Sequence, residues 1–192
     1  MEPLLGIPVG LALSTAAGLR VFVPLLLTGL AARAGYLILT PGMSWIGSDA
    51  ALLAFATATV AEVAAYYVPW LDNVLDTLAT PTAILAGVVT TAAVTPELSP
   101  LVRWTLAIIA GGGAAGLVQA GTALLRLKSS AFTGGVGNPV VATAELVGSV
   151  ALSVLGLVAP LLALALVVIL LIVLARRARR LLRERGRPRP LW

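Results

Sequence analysis

The chain has 192 residues, 59% of them hydrophobic and 11% charged, with a formal net charge of +5. A soluble domain carries roughly 25% charged residues, so too little polar surface is present to cover a globule in water, and lipid is expected to solvate much of this one. Cysteine and histidine are both absent, which excludes disulfides, thiol chemistry, Cys/His metal sites and imidazole-dependent triads; no cofactor is expected, and a metal would find only oxygen ligands.

A membrane-spanning helix takes about 20 apolar residues, and six segments qualify or nearly do. The first, 4–33, starts in MEPLLGIPVG, which lacks the basic start of a secretory signal and so reads as part of a retained span. It is too long for a straight crossing and contains Gly18, Arg20 and Pro24. Proline inside a helix removes a backbone hydrogen bond and kinks it. The second span, 50–70, carries Glu62. The stretch PWLDNVLDTLATP then reads as a connection that holds Asp72 and Asp76. Their i, i+4 spacing puts both carboxylates on one face if the segment is helical. Such a pair at a cytoplasmic mouth would concentrate cations or hold a divalent ion through oxygens; the plainer reading is a solvated loop face or a helix-start feature.

The third span, 81–95, is short and rich in threonine. The fourth, 101–127, contains Gly111, Gly112 and Gly113, and after them Gln119. Interrupted segments at corresponding places in two halves mark binding sites in transporters, although small residues equally let membrane helices pack closely. Next, FTGGVGNPVV lacks the Lys-Ser/Thr ending of a phosphate loop and reads as a tight loop capped by Asn138, with Pro139 opening a helix. The fifth span, 139–158, carries Glu145, and the sixth, 160–175, follows directly. Joined, these two would be roughly 55 Å long against a hydrocarbon core of about 30 Å, so two spans are expected.

Residues 176–192 form a basic tail with eight of the thirteen basic residues. Basic flanks stay cytoplasmic, which with six spans puts both termini inside. Arg126 and Lys128 fall on that same side, and Arg33 falls opposite. Directly after a span, the tail reads as a topology signal that contacts anionic lipid, not as a nucleic-acid patch. Trp45, Trp70, Trp104 and Trp192 sit near span ends, as interfacial anchors do.

The body, 1–175, is expected to be one domain with halves at about 1–97 and 98–175. Ala16-Ala17-Gly18-Leu19 recurs as Ala114-Ala115-Gly116-Leu117, and Thr59-Val60-Ala61-Glu62 loosely as Ala142-Thr143-Ala144-Glu145. Three spans per half would make the copies inverted repeats. Within this all-α bundle, Arg20 is a cation that cannot deprotonate, at a cost of about 2.5–3.5 kcal/mol at the bilayer centre. It needs acceptors, and Glu62 and Glu145 are the ones the apolar body offers, with Gln119 and Asn138 available to complete a network. Two carboxylates against one arginine would leave one negative charge over.

AAGLRVFVPLLLTGLAAR, AEVAAYYVPWLDNVLD and GGVGNPVVATAELVGS together resemble a family of small bacterial membrane proteins known only as a domain of unknown function. The resemblance implies a six-span or similar helical fold and roles for Arg20, Glu62, Asp72, Asn138 and Glu145; it supplies no activity. The expected function is a small inner-membrane transporter or channel-like protein for an ion or small polar solute, with homo-oligomerisation compatible with so small a bundle. The alternative is a non-transporting scaffold or accessory subunit whose buried charges are structural. A membrane enzyme would need Glu62 and Glu145 aimed at one substrate, and nothing indicates one.

Overall fold

The computed structural model describes the main chain of residues 5–65 and 69–185, and their side chains apart from 69–77, 178 and 180–185. Every regular element among these residues is helical. Three stretches are long and apolar enough to cross a membrane, Pro100–Thr133, Asn138–Val158 and Pro160–Arg177, while Gly6–Ala17, Phe22–Arg33 and Leu78–Ala93 are apolar but shorter. Large apolar side chains such as Leu101, Ile109, Val140, Val158 and Leu161 face outward. That is a surface for lipid and not for water.

The first expected span is not one helix. Helix α1 (Gly6–Ala17) and helix α2 (Phe22–Arg33) are joined by a turn over residues 18–21 and fold back on each other. Ala17, Val21 and Leu25 share one apolar cluster beside the turn. Val9, near the start of α1, clusters instead with Leu37 and Ile46 from beyond the end of α2. Each helix has 12 residues, hence a length of about 18 Å, against a core of about 30 Å. The pair is a hairpin that enters and leaves at the same end of the bundle.

Local chemistry explains the turn. Pro24 is the third residue of α2, where a backbone N–H would have no partner within the helix, so it starts α2 instead of kinking a longer helix. The carbonyl of Ala16 accepts the N–H groups of Leu19 and Arg20, both at 3.0 Å, which closes α1. Gly18 permits the approach of the helix that carries Ala115 and Val118. A Cβ there would meet the Ala115 carbonyl oxygen and come within 2.8 Å of Val118 Cβ. Gly18→Ala is therefore expected to destabilise the bundle by about 1–3 kcal/mol, read as a lower unfolding temperature in detergent. Gly113→Ala, whose Cβ meets nothing within 4 Å, is the matched control and should be neutral or better.

After the hairpin the chain stitches itself to α4, because Thr40 donates through N–H and hydroxyl to Ala93 and Ala92 carbonyls, both at 2.8 Å. Helix α3 (Asp49–Ala65) starts beside the end of α2, where Asp49 pairs with Arg33, and runs down towards the turn. Helix α4 (Pro69–Ala93) returns. The expected connection PWLDNVLDTLATP is thus helical, with Pro69 at its start and Pro81 inside, at the loss of one backbone hydrogen bond. Asp72 and Asp76 fall one turn apart on α4, and their side chains lie outside the described residues, as do those of Trp70 and Trp192.

Helix α5 (Pro100–Leu106), a π-helical segment (Ala107–Gly112) and helix α6 (Gly113–Thr133) then run on without a break. Of the expected interruption, Gly111 and Gly112 close this π segment and Gly113 opens α6, and packing accounts for the first two. A Cβ on Gly111 would lie 2.7 Å from the Gly87 carbonyl oxygen, and one on Gly112 3.0 Å from a Val88 methyl. Helix α6 also continues to Thr133, past the end of the expected fourth span at 127. It ends at Gly134 and Gly135, with φ of +61° and +92°, which glycine adopts without steric cost. Helices α7 (Asn138–Val158) and α8 (Pro160–Arg185) are separate, as expected, and the first ten residues of the basic tail continue α8.

Helix α7 is antiparallel to α1, with Gly156 against Ala12 and Ser149 bonded to Ala16. Helix α8 starts with Ala163 packed on Ala12 and runs the other way from α7. The start of α1 and the end of α8 therefore lie at opposite ends of the bundle, where six crossings would put them together. The two Ala-Ala-Gly-Leu stretches meet, Gly18 against Ala115. One closes a hairpin and the other lies inside a continuous helix, so the tetrapeptide does not mark equivalent structure in the two halves.

Candidate functional site

The turn at 18–21 delivers two things into the middle of the bundle: the Arg20 side chain and the N-terminus of α2. Helix N-termini leave backbone N–H groups without partners. Here Glu62 on α3 accepts the N–H groups of Val21 at 3.1 Å and Phe22 at 3.3 Å, one on each carboxylate oxygen. A carboxylate also suits the positive end of the helix dipole.

Arg20, 1% exposed, points to α7. Its Nη2 donates to the Ala142 carbonyl at 2.7 Å and lies 3.4 Å from Glu145 Oε2. Glu145 is also held by Arg126 on α6, whose Nε donates to Oε1 at 3.1 Å and whose Nη2 donates to Oε2. That is a forked pair, the strongest geometry open to arginine and carboxylate. Glu62 accepts the N–H of Val21, the residue next to Arg20, and both arginines meet at Glu145, so the four charges gather around one turn. Among the described residues the cluster contains two arginines and two glutamates. Arg126, which the sequence reading places between spans four and five, is 4% exposed inside the bundle and brings a second cation beside the carboxylates.

These four residues lie within a stretch, 7–180, that matches the family described as Domain of unknown function (DUF4126). The chain belongs to this family. No curated protein and no solved structure matches the chain.

Within the DUF4126 region, the other expected site residues divide. Gln119 is buried on α6, seven residues before Arg126 and therefore on the same helix face. Asn138 stands apart at the start of α7, roughly 10 Å along the helix from Glu145, where its side-chain amide donates to Ser130 Oγ at 3.0 Å. Gly18 shapes the turn directly. Two participants were not anticipated. One is Arg126; the other is Ser149, whose hydroxyl donates to the Ala16 carbonyl at 3.0 Å, one turn from Glu145. The seven-residue step from Gln119 to Arg126 was the available sign that α6 keeps one polar face into the bundle.

Proposed function

We propose that the protein is a small membrane transporter or channel-like protein for an ion or small polar solute, with Arg20, Glu62, Arg126 and Glu145 as its polar centre. The observation that carries this reading is the hairpin turn, which brings two helix ends and an arginine to the core of an apolar bundle. Discontinuous helices whose ends meet inside the membrane are the usual way such proteins build a solute site. Glu145 serves two arginines at once, so an anionic group entering beside Arg20 or Arg126 can substitute for it without leaving a cation bare.

In this reading α3, α4, the α5–α6 run, α7 and α8 make five crossings, and the hairpin dips in from one face. The arginine-rich end of α8 is cytoplasmic, in the cell (inner) membrane, together with Lys128, and the start of α1 faces the opposite side. Arg33, on that opposite side, is offset by Asp49.

The test is flux into liposomes carrying the purified full-length protein, for a panel of protons, cations, small anions and neutral polar solutes. Wild type is expected to move at least one of them, and folded Arg126→Lys, which keeps the charge but loses the fork, to lose most of that flux. The forked Arg126–Glu145 pair favours a second reading, a scaffold stapled by its charges. A folded wild type that moves nothing in the panel would leave that one standing and sink the first.

A further inference from the structure

Helices α6 and α8 leave a groove between them of about 300 Å³. Its walls are apolar, with Leu117 and Leu125 from α6 and Leu174 from α8, and its inner end reaches Leu19 in the hairpin turn. At its outer end stand two cations, Lys128 and Arg177, and among the described residues no acidic side chain lines it. From Leu117 to Lys128 is eleven residues of helix, about 16 Å. One leaflet of a bilayer has a hydrocarbon depth of about 15 Å, half of about 30 Å. The groove thus has the length of one acyl chain in the leaflet that faces the basic tail, and a doubly positive mouth at the level of the phosphates.

We propose that this groove binds one anionic phospholipid, an acyl chain lying between α6 and α8 and the headgroup phosphate held by Lys128 and Arg177. The proposal rests on the membrane reading above and not on transport. It differs from general attraction of the tail to anionic lipid, because it needs two named cations and an apolar slot of fixed length.

The experiment is lipid retention by the full-length protein, read by native mass spectrometry after exchange into micelles doped with phosphatidylglycerol or phosphatidylcholine of identical chains. Wild type is expected to keep one phosphatidylglycerol in preference to phosphatidylcholine. Lys128→Ala should weaken retention about fivefold, and Lys128→Ala with Arg177→Ala about thirtyfold. Both cations are exposed, so folding is not at stake. Ala120→Trp, which fills the slot from a lining position, should abolish retention with every charge intact. Arg179→Ala, outside the groove, should change nothing. Equal weakening by Arg179→Ala, no headgroup preference, or displacement by soluble glycerol phosphate as effective as by the intact lipid would each overturn the proposal; the last would make this an anion site without a chain.

Discussion

Glu145→Ala is expected to destabilise the protein by about 3–5 kcal/mol, the usual loss when one member of a buried ion pair is removed. The reason lies in what stays behind. Arg126 loses both arms of its fork, Arg20 loses the carboxylate 3.4 Å away, and neither guanidinium can deprotonate to relieve the burial. The measurement is the apparent unfolding temperature in detergent, with half-life at a fixed temperature beside it. Because a buried pair replaced by apolar groups of similar volume is often neutral, Arg126→Met with Glu145→Leu should recover most of the loss. Arg20 would still have the Ala142 carbonyl and the field of Glu62. A loss below about 1 kcal/mol for Glu145→Ala, the level of an exposed pair, would mean that the cluster is hydrated.

Glu62→Ala should cost about 3 kcal/mol, for a different reason. It strands the N–H groups of Val21 and Phe22 at a buried helix start, and each unmet donor there costs about 1–3 kcal/mol. Glu62→Gln keeps one carbonyl oxygen and can serve one donor, so it should lose about half as much. The specific readout is hydrogen exchange at the amides of Val21 and Phe22, faster in both variants and fastest with alanine. Unchanged exchange in Glu62→Ala would show that some other group caps α2.

Much of this architecture can be read from residue order. The apolar excess, the separation of α7 from α8 at Ala159–Pro160, and the drawing together of Arg20 with Glu62 and Glu145 all follow from local chemistry and the cost of a buried charge. The hairpin does not. A mostly apolar run of thirty residues, 4–33, with Gly18 and Pro24 near its middle fits a kinked crossing and a hairpin equally well. What decides is the pair of distant groups that receive the turn, the Glu62 carboxylate and the Ala115 backbone. Arg126 was misjudged for a related reason. Its neighbours Leu127, Lys128 and Ser129 resemble a loop, and only the partner on α7 shows that α6 continues and turns that side chain inward. The helical start of α4 is a third case, since Asp and Asn near Pro69 read as turn residues until tertiary packing overrides their weak preference.

The hairpin also sets an order of events during synthesis. Arg20 is 122 residues ahead of Ala142, and Ala16 is 133 residues ahead of Ser149. At about 5–20 residues per second, the arginine waits roughly 6–25 s before its carbonyl acceptor exists. Contacts so distant in sequence form slowly. The hairpin therefore reaches its final seat only after α7 has been made, because α7 supplies the Ala142 carbonyl and the Ser149 hydroxyl that hold the two sides of the turn.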